Sequence, residues 1–509
     1  GRNRPPVAKT IRAVMGIRGE PATPDDPARG VVWTAILAQI DHPGSQSDFV
    51  SAVDSLRELF HKHPWSIGGG GAAELKEQLE ETSDCHLCEV TDLIGFMVIT
   101  GEDNCLLVPE GTARRGRVGG YRSLGDGDDV RDWCCESELV VLWPNTETGA
   151  RRPCEEIVDH LGYLWPYRTS LKERKAFGIP VEEKGIPWWA LREVYSDKLR
   201  TPLSIVFAFV ATHNHFVLDR GGKVFKQSAP VIKLPPEATE DDHLGLLGLL
   251  NSSTGCFWMK QVFHDKGSTV DSKGARQTTI AFENFREFTG TGLLKYPLPE
   301  SRPLSRVQAL DALAQQLAAL SPAALLTASL GVSGPLRSSL AAAHTQWRTS
   351  RQQMIALQEE LDWECYRLYA LIEEDLRYHT EPPPIALGQR AFEIAMARKM
   401  AAGELQTTWF ERHGSVPITD LATEWPDDYK RLVERRIELI ETDRNIGLIE
   451  QPEYKRRWNT EPWESQLDRA LREWLLDRAE SYFDFDGRML KNEPQSRGDS
   501  EKAKHPLYG

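Results

Sequence analysis

Phe288-Thr289-Gly290-Thr291-Gly292 has the Phe-x-Gly-x-Gly spacing with which a loop cradles S-adenosylmethionine, its glycines letting backbone approach the cofactor. Such a loop follows a buried strand and opens a helix. Here a charged run at 283–287 precedes it and Leu293-Leu-Lys-Tyr-Pro297 follows, so a plain turn is the expectation. The Asn/Asp-Pro-Pro-Tyr/Phe signature of adenine methylation is absent, because no Pro-Pro step (at Pro5, Pro235 or Pro382) has Asn, Asp or Ser before it or an aromatic after it. Gly68–Gly71 lacks the Lys-Ser/Thr that completes a phosphate loop and reads as a flexible entry to a helix.

Metal and nuclease chemistry are poorly supported. Cys85-His86-Leu87-Cys88 is a lone Cys-x-x-Cys, and a structural zinc needs a second ligand pair. Adjacent Cys134-Cys135 is poorly spaced to supply one, so these read as small, partly buried thiols. His213-Asn214-His215 would put both imidazoles on one face of a strand, with no acidic or thiol partner in sequence, and His61 and His63 are similar. Glu182-Glu183-Lys184 is the nearest approach to a nuclease cluster and reads as a loop charge run. No metal is expected.

The informative stretch runs from Leu164 to Arg276. Trp165-Pro-Tyr167-Arg168 is followed by Lys172, Arg174 and Lys175, then Pro187-Trp188-Trp189, Lys198 and Arg200, and an Arg220-Gly-Gly-Lys223 turn. Aromatics interleaved with cations suit DNA: cations meet phosphates, Arg reads guanine edges and aromatics stack on unpaired bases. A solvated charged surface and buried indoles are the plainer reading of each residue taken singly.

The elements that must position these residues follow from pattern. The 509-residue chain has a formal net charge of −14, yet residues 168–235 hold twelve Lys/Arg against six Asp/Glu, while residues 72–110 hold ten acidic residues and one Lys. No apolar run approaches the ~20 residues of a membrane span, and eight Cys make no disulfide framework, which suits a soluble, cytoplasmic, multidomain protein. Short apolar runs at 93–99, 138–143, 204–210 and 231–234 predict strands. Helices are predicted over 32–40, 72–81, 304–320, 336–371, 429–441 and 465–483. Leu340, Trp347, Met354, Leu361 and Leu368 recur every seven residues, the seam of a long helix, here read as half of an intramolecular antiparallel hairpin. Pro382–Pro384 would end that element.

At this point a resemblance enters. Pro187-Trp-Trp-x-Leu-Arg-Glu193, Tyr195-Ser-x-Lys198, a strand, the Asp219-Arg-Gly221 turn, Leu249-Leu-Asn-Ser-Ser-Thr254 and Phe257-Trp-Met-Lys260 resemble the target-recognition region of large, type IIG-like adenine-specific DNA methyltransferases. Phe288-x-Gly-x-Gly-Leu-Leu-Lys-Tyr-Pro-Leu-Pro resembles their exit into a helical spacer. Pro5-Pro-Val-Ala-Lys-Thr-Ile-Arg, Phe60-His-Lys-His-Pro-Trp-Ser-Ile-Gly-Gly-Gly-Gly, Asn251–Lys260 and Tyr454-Lys-Arg-Arg-Trp-Asn-Thr-Glu-Pro-Trp-Glu look like the PglX-like methyltransferases of BREX type 2 phage-defence systems.

With the cofactor loop and catalytic motif absent, the resemblance implies the C-terminal part of such an enzyme, with S-adenosylmethionine held in a missing N-terminal domain and no catalytic residue in this chain. The expected fold class is α/β plus all-α: a connector over 1–64, a mixed α/β target-recognition domain over 65–300, a helical spacer over 301–384, a C-terminal helical domain over 385–495 and a flexible tail over 496–509. The expected partner is double-stranded DNA, met by Arg168, Trp188, Trp189, Lys198, Arg200, Lys223, Asn251, Lys260, Lys266 and Arg276; other defence-system proteins are possible partners. The alternative is a non-enzymatic DNA-binding or scaffolding module of a defence complex, and a third is a restriction enzyme.

Overall fold

A computed structural model describes residues 8–20, 24–60, 68–116, 118–176, 178–266, 280–328, 337–458 and 460–483. Arg276, His61, His63 and the 496–509 tail lie outside the described residues. The fold is mixed α/β followed by helices, as the pattern predicts. Strand Ser204–Phe207 pairs antiparallel with Phe216–Asp219 on one side and Val231–Lys233 on the other, and Val231–Lys233 pairs with Leu93–Gly95. All four residues of Ser204–Phe207 are buried, which is why this segment reads as a continuous apolar run rather than an alternation. A second sheet is ordered Val224–Phe225, Tyr121–Gly125, Leu139–Leu142, Leu107–Pro109, with the first pair parallel.

Helix Glu240–Asn251, started by a Thr239/Asp242 capping box, packs between strand Phe216–Asp219 and helix Leu304–Ala319. Leu304–Ala319 in turn lies along the long helix Arg337–Leu368. Arg306 meets Glu364 at 2.7 Å near one end and Leu317 lines one cavity with Trp347 towards the other, so the two run antiparallel within one chain. The seam residues Trp347, Met354 and Leu361 are buried, with Ala343, Ser350 and Leu357 beside them. From Met354 to Trp363 every residue is buried, so the second half of this helix is a core element enclosed on all sides.

The long helix stops at Leu368, fourteen residues before Pro382, and the prolines are not its terminator. Ala370 adopts a left-handed φ of 52°. Its N–H donates to Arg367 O at 3.0 Å and the Leu371 N–H donates to Tyr366 O at 2.8 Å, the paired bonds of a Schellman cap. Tyr366 and Leu371 are both buried, supplying the apolar contact that accompanies such a cap.

The stretch expected as a connector carries structure of its own: Thr10–Gly16 pairs antiparallel with Val50–Leu56, and helix Val31–Gln39 packs on that pair. From Ala72 to Trp463 one hydrophobic core runs without a break across the changes in character near 300 and 384. The last described helix, Trp463–Glu480, returns to helix Glu110–Arg115 of the α/β part, where Arg115 meets Glu473 at 2.8 Å and Asp477 at 3.1 Å. Among the described residues, no single helix is long and apolar enough to cross a membrane.

At the centre of this core lies a charged knot. Lys455 Nζ is 2.8 Å from Asp362, 3.0 Å from Glu450 and 3.2 Å from Glu359, with all four side chains buried. Asp362 also accepts from the Ser253 N–H at 2.8 Å and the Ser253 hydroxyl at 2.6 Å. Arg456 donates to Asn251 Oδ1 and to the Asn214 carbonyl, and Arg390 donates to the Arg456 carbonyl at 2.7 Å. Burial pushes the Glu359 carboxyl up to about 7 against the pull of Lys455, and its Oε2 has no hydrogen-bond partner.

The cap and the charged knot each bear on stability. Ala370→Gly removes a left-handed penalty of ~1–2 kcal/mol but adds chain entropy in the unfolded state; a net gain of about 0.5–1 kcal/mol is expected, read as a raised urea midpoint. A carboxyl with a raised folded pKa holds its proton more tightly when folded, so its contribution to stability declines as pH rises from about 4.5 to about 7. Glu359→Gln should therefore narrow the difference in unfolding free energy between about pH 5 and about pH 8, gaining at the higher pH. Lys455→Met strands two or more buried carboxylates and should cost at least ~3 kcal/mol.

Candidate nucleic-acid interface

Arg174 anchors the aromatic part of the predicted interface from behind. It is buried, and its guanidinium donates to the carbonyls of Leu171 (2.8 Å), Thr100 (2.9 Å), Trp188 (2.6 Å) and Ala190 (3.0 Å). Four carbonyls in place of a carboxylate satisfy the fork geometrically while leaving its charge unneutralised. The turn carrying Trp188 and Trp189 is thereby tied to helix Arg168–Glu173. Trp188 is half-buried and Trp165 is 62% exposed, their rings edge-on at 6.1 Å. Arg168 lies over both, 5.0 Å from the Trp165 ring and 5.8 Å from that of Trp188.

A second group forms at one end of the sheet that contains Ser204–Phe207. The residues before this strand and after Phe216–Asp219 share that end, since Ser204 pairs with Asp219. Gly221, at φ 101°, packs so closely that a Cβ there would sit 3.1 Å from Pro202. Exposed Arg200 and partly exposed Lys223, 3.6 Å from Asp219, flank this end of the sheet, Lys223 also lining the cavity beside Glu136 and Leu317. Arg220 is engaged by Asp311 at 2.7 Å and by Glu240. Lys266 is exposed beyond the other end of the strand, 2.8 Å from Glu287.

Trp189, Lys198, Asn251 and Lys260 are turned inward, contrary to their expected exposure to DNA. Trp189 is a core side chain. Lys198 is buried: its stem fills the space left by Gly95, and its ammonium meets Asp197 at 3.0 Å over the Tyr195 ring. Asn251 clamps the Phe216 backbone, donating to its carbonyl at 2.8 Å and accepting from its N–H at 3.1 Å, while Arg456 reaches its Oδ1. Lys260 is buried and donates to the Glu453 carbonyl, its pKa lowered by burial. All four side chains are engaged by groups of the fold itself. Trp165 and Arg174 belong to the aromatic and cationic stretch but not to the expected contacts; the exposure of the one and the four carbonyls around the other appear only in the folded chain.

The other motifs resolve structurally. Thr289 caps the four-residue helix Gly290–Leu293, accepting from the Gly292 N–H at 3.3 Å. A Cβ on Gly290 would meet Ile94 at 2.8 Å, and one on Gly292 would strike the Phe263 ring. The glycines thus admit neighbouring side chains, and the loop does not fit S-adenosylmethionine. The 68–71 run is a packed crossing: the Gly69 N–H donates to Gly16 O at 2.9 Å, the Gly70 N–H to Ser51 Oγ at 3.2 Å, and a Cβ on Gly71 would sit 2.6 Å from Arg444. His213 and His215 lie in a buried loop between strands, one facing the Pro452 carbonyl at 3.1 Å and the other Arg456 at 3.3 Å. Glu182-Glu183-Lys184 is an exposed single turn. Among the described residues, no three His, Cys, Asp or Glu side chains are grouped to hold a metal.

Residues 354–498 match a sequence family described as a domain of unknown function (DUF7008). Among solved structures, a type IIL restriction-modification enzyme, MmeI, in complex with DNA aligns with 57% of this chain and 36% of its own at a TM-score of 0.31 and 13% identity, too slight a likeness to carry an argument. The adenine-specific methyltransferase PglX of Streptomyces coelicolor is 44% identical over 494 residues, covering 94% of this chain. The chain spans 40% of that relative's length. As its motifs implied, the chain is similar along nearly its whole length to part of an adenine-specific methyltransferase.

Proposed function

We propose that this chain is the DNA site-recognition and helical region of an S-adenosylmethionine-dependent, adenine-specific DNA methyltransferase of a phage-defence system, with the catalytic domain outside it. The observation that carries this reading is the 44% identity to PglX over 94% of the chain, joined to the absence of a catalytic signature from this sequence. In this reading exposed Arg200 and partly exposed Lys223, at one end of the sheet, and exposed Lys266, beyond the other, meet the phosphates of a duplex. Such contacts position a duplex, and base edges read in the groove select the site. Extrusion and methylation of the adenine belong to the catalytic domain, which supplies the pocket for the flipped base.

A second reading, a scaffolding module of a defence complex, has one observation in its favour. Trp33, Leu37 and Ile40 recur on one face of the first helix and are 46%, 59% and 40% exposed, an apolar stripe of the kind that marks protein contacts.

Duplex binding by the purified chain, titrated across salt, separates the two. The first reading expects affinity to fall steeply with salt, and Arg200→Glu with Lys223→Glu to weaken binding ~10-fold or more and lower the log–log slope by about two. A double variant that binds like the parent would remove these cations from the recognition role, and a chain that ignores DNA would favour the scaffold.

A further inference from the structure

Arg168 differs from the other arginines of this region. Arg174 is saturated by carbonyls and Arg220 by carboxylates, whereas Arg168 has neither a hydrogen-bond nor a carboxylate partner among the described residues. Its Nε is shielded from solvent and unpaired, and its charge is supported only by the faces of Trp165 and Trp188. The floor beside it is open. Helix Val158–Leu164 leads directly into Trp165, and Val158, one heptad earlier, is 64% exposed. Gly162 lies between them on the same face, with nothing within 4 Å of where its Cβ would be. Tyr167 is also exposed.

An anion alone would not need an indole left mostly in water, and an apolar protein surface closing over Arg168 would strip water from a guanidinium without supplying a counter-charge. A flat π-face beside an uncompensated, stacking-competent cation answers both needs of a single unstacked nucleotide, its ring and its phosphate. Arg174 fixes the platform from behind, so little ordering is left for the moment of binding.

We propose that Trp165, Arg168 and Trp188 form a stacking platform for one unpaired nucleobase and its flanking phosphate. The proposal rests on the reading that this chain meets DNA and deepens it. Extruding a base from a duplex leaves neighbouring bases unstacked, and a platform that receives one lowers that cost without regard to its identity, since every base has a π-face.

The test compares the purified full chain on a fully paired duplex and on the same duplex carrying one bulged base. The wild-type chain should prefer the bulged duplex by about tenfold, within the range of base–aromatic stacking. Trp165→Ala should erase that preference, and Trp165→Phe, which keeps a ring, should retain most of it. Arg168→Ala should weaken binding to both and lower the salt slope by about one. A preference that survives Trp165→Ala, or an equal loss on both duplexes, overturns the platform while leaving DNA binding standing. Failure of the wild-type chain to bind either duplex overturns the platform together with the reading beneath it. If Trp165→Ala instead turns a self-associating chain monomeric in sedimentation and leaves DNA binding as it was, the face is a protein contact and the proposal falls.

Discussion

The Lys455 ammonium is the point on which the rest of the structure depends. The second half of the long helix is enclosed on every side yet carries Glu359, Glu360 and Asp362. Cations arrive from the C-terminal helices and the loop after them: Lys455 among Glu359, Asp362 and Glu450, and Arg436 at 2.7 Å from Glu360. A buried ion pair of this kind adds little stability compared with apolar packing, but leaving one partner alone is costly. The knot therefore acts chiefly by forbidding alternatives. The α/β part, the helical hairpin and the C-terminal segment must close on one another in this register or strand a charge.

That constraint reaches the surface through the Asn251–Ser253 turn. Asp362 holds Ser253, and Arg456 holds Asn251, which in turn clamps the edge strand at Phe216. The far end of the same strand lies where Arg200 and Lys223 are found. Arg200 and Lys223 thus flank a sheet secured from below, and half-buried Trp188 stands on a turn secured by Arg174. The overall charge of −14 conceals this, since it averages an acidic stretch with a basic one.

Much of the architecture was legible locally. Apolar runs marked Ser204–Phe207 and Val231–Lys233 because central strands bury both faces, and the heptad seam marked the long helix because its first half is buried on one stripe. The end of that helix was misread. Proline is a familiar terminator, whereas a left-handed alanine gives no local signal; Ala370 takes that conformation because the buried Tyr366 and Leu371 close a cap around it. The opening segment, expected as a connector, holds Thr10–Gly16, which finds a partner strand some forty residues away.

The candidate site divides the same way. Sequence by itself determined the fold class, the ordered motifs shared with a methyltransferase, and the neighbourhood in which aromatics and cations interleave. It could not sort those side chains into inside and outside. Lys260 and Asn251 have the composition of a DNA contact, but the Glu453 carbonyl and the Arg456 guanidinium, some two hundred residues on, draw them into the core. Trp165, Arg168 and Arg200 have the same composition and meet no such partner among the described residues. A charged side chain is buried only where distant groups replace its water, and that replacement exists only once the chain has closed on itself.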